Sequence, residues 1–180
     1  MAPKLQGHFE PPRKRCLGWC EGKRLLLVQR PWEALKVGKW EQCHTEIWLM
    51  TQRPGEDPQP YKGKYGGVGI YAAEGKDGRW QPKLCAEACR VAGFPEKSYL
   101  SRVVGWYFLK RPAGAKTWEQ YQEKQEHGAD YTWQVDHIHG HREHIFLCNL
   151  QVVHWEEHLK KTRLQCKDLR HTVWKKPARA

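Results

Sequence analysis

No apolar run in this chain approaches the about 18 residues that a membrane-crossing helix needs, and the opening stretch MAPKLQGHFEPPRKR is polar and basic where a leader would be apolar. The expectation is an intracellular protein, cytoplasmic or nuclear, with no membrane partner and reduced thiols. PPRKR has the composition of a nuclear-import signal. A phosphate-cradling glycine loop is also missing, because Gly66, Gly67 and Gly69 do not keep its spacing. Neither an internal repeat nor a long low-complexity segment is present, which argues against a solenoid. Acidic residues are scarce at both ends. Residues 159–180 carry eight Lys or Arg against one acid, Asp168, and residues 1–30 carry seven against two; the overall net charge is +11, so the middle is left at −1. Positive charge clustered in this way suits a polyanion such as DNA, because each neutralised phosphate releases counterions.

What is present argues for a folded chain. Ten Trp and seven Tyr supply apolar surface that a disordered segment lacks, and 180 residues suffice for one compact domain or a domain with a small module. Lys23 to Arg30 and Cys43 to Met50 read as strands, TQRPGEDPQPYKGK as a Pro- and Gly-rich connection, and YGGVGIYAA as a further strand. After the turn EGKDGRW, PKLCAEACRVAG reads as a helix stopped by Gly93. Ser98 to Leu109 reads as a second helix, and TWEQYQEKQEH as a third that begins with a capping box from Thr117 to Gln120. Among the seven cysteines, Cys16 and Cys20, like Cys85 and Cys89, are separated by three intervening residues. With His44 or another Cys they could make a structural zinc site; alternatively Cys85 and Cys89 share a buried helix face.

The densest chemistry lies in VDHIHGHREHIFLCNLQVVHWEEH, Val135 to His158. Tyr131 to Ile138 alternates as a half-buried strand that Gly140 ends, Leu150 to Val153 is a short second strand, and a helix begins at His154 with Trp155, Leu159, Thr162, Cys166 and Leu169 on one face. Asp136 therefore closes a strand, and His158 sits in the first turns of a helix. Cutting a phosphodiester requires a base for water, a cation at the phosphate and a rigid mount for both. Asp136 and His158 offer an oxygen and a nitrogen ligand for one divalent ion. His137 points to the other side of the strand, and its ordinary pKa of about 6.5 suits a base. Asn149 suits a role in fixing the loop. His154 and His158, four residues apart, form an alternative metal pair.

Val135, Asp136-His137, Ile138, Gly140, Asn149-Leu150, Val153 and Glu157-His158 together resemble the HNH nuclease family with its ββα-metal fold, in its homing-type branch. The resemblance is strong over residues 131–160 and weaker upstream from residue 98. It implies that His137 is the general base, that Asp136 and His158 hold the metal, and that Asn149 holds the loop and the base. The implied cofactor is one divalent ion, magnesium first; the additional His139, His141 and His144, and Cys148 where a carboxylate is frequent, raise the standing of manganese, nickel or zinc. Arg142 is a candidate for the scissile phosphate, and Lys160, Lys161 and Arg163 follow His158 as candidate DNA contacts.

The expected architecture is α+β: a C-terminal ββα-metal HNH motif packed on a mixed strand and helix N-terminal part. Residues 1–30 form a basic arm and first strand, residues 31–115 a mixed α/β scaffold or DNA-reading module, and residues 116–180 the nuclease domain with its basic tail. The expected function is DNA phosphodiester hydrolysis. Two rivals are an HNH-fold DNA-binding protein that has lost cleavage and a structural zinc module that binds another protein.

Overall fold

The computed structural model describes residues 13–37, 40–63, 68–74, 78–125 and 131–173, with the side chains of 31–42 and 166–173 outside the description. The fold is mixed α+β, and the chain divides into two compact units, one made of Met1–Leu100 with Arg142–Phe146 and the other of Ser101–His141 with Leu147–Ala180. Among the described residues no helix is long and apolar enough to cross a membrane. Residues 1–12, the first two of PPRKR among them, parts of YGGVGIYAA, EGKDGRW and TWEQYQEKQEH, and residues 174–180 of the basic tail lie outside the described residues.

In the first unit, β1 (Lys14–Cys20), β2 (Lys23–Val37) and β3 (Trp40–Gln52) form an antiparallel meander, and β4 (Gln59–Pro60) pairs with the end of β3. The β1–β2 turn is two residues long, with Glu21 at φ 48° and Gly22 at φ 74°. Positive φ at both positions matches the right-handed twist of the flanking strands. Leu26 and Val28 of β2 face Met50 and Trp48 of β3 on one side of the sheet, while Leu27 faces Leu49 on the other. Buried residues on both faces explain why LLLV is an unbroken apolar run rather than an alternating one. The β2–β3 register shifts between Gln29 and Glu33, around Pro31, which has no N–H to give the ladder.

A hairpin of β5 (Ile70–Glu74) and β6 (Trp80–Leu84) packs on β2 and β3 and leads into α1 (Ala86–Val91). Pro82 to Leu84, expected to be helical, pair with Ile70 to Ala72 instead. Sheet pairing and burial outweigh the helix signal there. Gly69 has a packing reason: a Cβ would lie 2.5 Å from Leu49 Cδ2 and 2.8 Å from Tyr61 Cδ1. The last strand of this sheet comes from far along the chain, where β8 (His144–Ile145) pairs in parallel with His44 and Thr45 of β3.

The second unit holds all but the first residue of α2 (Leu100–Phe108), α3 (Trp118–Gln122), the antiparallel pair β7 (Trp133–His137) and β9 (Leu150–His154), and α4 (Trp155–Val173). Thr117 caps α3 and closes the expected box with Gln120. Arg102 of α2 donates to the carbonyls of Trp133 (2.9 Å) and Tyr121 (2.6 Å), and the Tyr121 hydroxyl returns a bond to the Arg102 carbonyl at 2.6 Å. The Arg102 guanidinium also lies 3.4 Å from the centre of the Tyr131 ring. These bonds tie β7, which carries part of the candidate site, to α2 and α3.

Candidate functional site

The antiparallel register places Asp136 opposite Gln151 and His137 opposite Leu150. Strand alternation turns Asp136 inward, where only 4% of it is exposed, and leaves His137 half-buried on the other side. The Gln151 amide crosses from β9 to donate to Asp136 Oδ2 at 2.8 Å. α4 starts against the same strand: the Trp155 N–H donates to the Thr132 carbonyl at 2.9 Å. One turn further, His158 Nε2 comes to 3.8 Å from Asp136 Oδ1.

Lys161 follows His158 by three residues and so shares its helix face. Its ammonium donates to Asp136 Oδ1 (2.9 Å) and Oδ2 (2.7 Å) and to the carbonyls of His137 (2.9 Å) and Ile138 (3.0 Å). Asp136 is thus hydrogen-bonded by Gln151 and Lys161, with His158 beside it. The face of α4 turned toward β7 and its loop runs through His158, Lys161 and Gln165, the last of these 3.7 Å from where a Gly140 Cβ would stand. It does not run through Leu159, which is 37% exposed, contrary to the apolar face expected from spacing. Pairing with a buried carboxylate sets the rotation of this helix.

The turn after β7 is built on Asn149. Its carbonyl accepts from Ile138 N at 2.7 Å, its Oδ1 accepts from His139 N at 2.9 Å, and its Nδ2 donates to the His141 carbonyl at 3.4 Å. Gly140, at φ 75°, allows its own N–H to close on the His137 carbonyl at 2.8 Å. Asn149 lies in a short 3-10 turn, Leu147–Asn149, and β8 precedes it in the chain.

Lys160 and Arg163 are exposed. Arg142 is half-buried in the segment that belongs to the first unit. His139, His141 and Cys148 are exposed. The two members of the alternative pair, His154 and His158, have different neighbours. His154 ends β9, where its ring meets Trp133 edge to face at 5.4 Å and its Nδ1 lies 3.9 Å from Glu156 Oε2, whereas His158 faces Asp136.

The expected cysteine zinc site is likewise not gathered: among the described residues, no group of three ligand atoms close enough for one ion includes Cys16, Cys20, Cys85, Cys89 or His44. Cys20 donates to Glu87 Oε1 at 2.8 Å, a bond that, with some burial, pushes its thiol up to about 11. The Tyr61 hydroxyl bonds the other oxygen of Glu87, and burial followed by that bond raises its pKa. Burial pushes the Cys43 thiol up to about 12 and raises that of Cys89.

Sequence reading missed Lys161 and Gln151 as partners of Asp136. The available signals were the three-residue step from His158 and the cross-strand position opposite Asp136. Comparisons with protein families, with curated proteins and with solved structures give no match to this chain.

Proposed function

We propose that this protein is a metal-dependent endonuclease of the HNH type that hydrolyses phosphodiester bonds in DNA. One observation carries the reading: on a strand, loop, strand and helix, Asp136 and His158 approach to 3.8 Å while His137 neighbours Asp136 and Asn149 pins the intervening loop. The donor pair fits a divalent ion, since one carboxylate oxygen and one imidazole nitrogen at this separation can share an ion with bonds of about 2.0–2.2 Å.

When bound, the ion would polarise a phosphate oxygen and offset the charge that builds on the leaving oxygen. Asp136 and His158 would hold it. His137 takes a proton from water as the water oxygen bonds to phosphorus and the bond to the leaving oxygen breaks; solvent then protonates that oxygen. Asn149 keeps the chain after His137 in one conformation, so the imidazole does not have to be ordered at each turnover. Lys160 and Arg163, exposed on the helix that carries His158, supply phosphate contacts that fix the register of the duplex.

The test is incubation with supercoiled plasmid and Mg2+, Mn2+, Ni2+ or Zn2+. The expected result is nicked or linear product, with His137→Ala slower by about 10²-fold or more. Absence of cutting with all four ions, or unchanged cutting by His137→Ala, refutes the reading. A second reading, a DNA-binding protein of the same fold without cleavage, is favoured by one feature, the Lys161 ammonium on the Asp136 carboxylate. It predicts salt-sensitive DNA retention that His137→Ala leaves unchanged.

A further inference from the structure

Asp136 is 5% exposed at its side chain, and a carboxylate so placed needs a positive partner. That partner is supplied from within the same unit. Four oxygens surround Lys161 Nζ at 2.7–3.0 Å: both oxygens of Asp136 and the carbonyls of His137 and Ile138, where β7 runs into its loop. A surface lysine normally completes its hydrogen bonds with water. Here the protein supplies more acceptors than the ammonium has protons, all of them hard oxygens of the kind that also surround a metal cation.

We propose that Lys161 is the resident cation of the Asp136 seat, a side-chain ammonium that a divalent ion must displace to reach its donors. The proposal rests on the reading of Asp136 and His158 as ion ligands. An ion bonded to Asp136 would use the carboxylate oxygens that Lys161 already bridges, and two positive charges competing for one carboxylate repel each other. The ammonium can leave without moving α4, because it ends a flexible four-carbon stem and its side chain is 28% exposed. Two consequences follow. The free protein takes up metal weakly, and the folded state keeps a cation on Asp136 whether or not metal is present.

Mn2+ binding to the full-length chain, read from the free-ion electron paramagnetic resonance signal, tests this alongside melting temperature with and without Mn2+. Both readouts are independent of DNA cutting. The proteins compared are the parent, Lys161→Met, Lys161→Gln and Asp136→Asn. The expected result is binding about tenfold or more tighter in the two Lys161 variants than in the parent, with Asp136→Asn weakest. Mn2+ should also raise the melting temperature more in the Lys161 variants, and a variant that folds only with Mn2+ present supports the proposal equally. Equal affinity in the parent and both Lys161 variants, with Asp136→Asn weaker, leaves the donor pair standing and overturns the lysine's role. Binding by none of the four removes the donor pair itself and the proposal with it. Lys161 variants that stay unfolded even with Mn2+ show that no ion can take over the ammonium's place, which also overturns the proposal.

Discussion

At Gly105 in α2 a Cβ would lie 2.6 Å from the Tyr121 hydroxyl and 2.6 Å from Val135 Cγ2, so the helix backbone rests directly on the strand that carries Asp136. Alanine is the better helix former by about 1 kcal/mol, yet the overlap should cost more than that propensity returns. Gly105→Ala is expected to lower stability by about 1–3 kcal/mol in denaturant unfolding; an unchanged or higher midpoint would show that α2 can shift at no cost. No periodicity argument distinguishes this glycine from one tolerated on a solvent face, because the reason for it lies in Tyr121 and Val135. Lys161 was opaque for a similar reason. In the run HLKKT it reads as one of several surface cations, and only the folded loop brings the carbonyls of His137 and Ile138 to it. Asp136 at a strand end and His158 early in a helix were legible, since alternation and three- to four-residue steps fix such positions locally.

At the scale of elements, the strands rich in β-branched and aromatic residues and the capped start of α3 at Thr117 were readable from sequence, while the end of α3, which stops at Gln122 where Lys124 turns to bridge Tyr131, and β1, β8 and the strand at Pro82 were not. β1 contains Lys14, Arg15 and Gly18 and becomes a strand only because β2 pairs with it through a tight turn. Its signal was the pair Glu21-Gly22, whose first member is a poor fit: a non-glycine residue at φ 48° carries strain that asparagine relieves. Glu21→Asn is expected to stabilise the protein by about 0.5–1 kcal/mol and to raise its melting temperature by roughly 1–4 °C for a chain of this size. A fall in melting temperature would mean that the exposed Glu21 side chain makes a contact worth more than the turn geometry. α4 shows the opposite error. Its start was legible to within a residue, but its rotation was set by the polar residues His158 and Lys161, where spacing had pointed to Leu159.

Across the whole molecule, the cysteines report how far each part of the fold is closed to solvent. Cys16 and Cys148 are exposed, Cys20 is tied to Glu87, and Cys43 and Cys89 are buried. Thiol labelling at pH 8 followed by mass spectrometry should modify Cys16 and Cys148 first, Cys20 more slowly, and Cys43 and Cys89 last; Cys43 reacting as fast as Cys148 would contradict the sheet described for the first unit. The raised thiols also give the fold an alkaline limit. Folding favours the protonated form of Cys20, so that contribution is complete below its ordinary pKa of 9.0 and disappears as pH rises through about 11, with Cys43 following toward about 12. The melting temperature should therefore drop between pH 9 and 11, and by less in Cys20→Ala. The pairing of β8 with β3 joins residues 100 positions apart through the Thr45 hydroxyl and the Ile145 carbonyl. During synthesis the edge of β3 that receives β8 is made long before its partner emerges, an interval of roughly 5–20 s at ordinary elongation rates. Until then a nascent chain carries an unpaired strand border, and that interval is when a holdase has most to offer it.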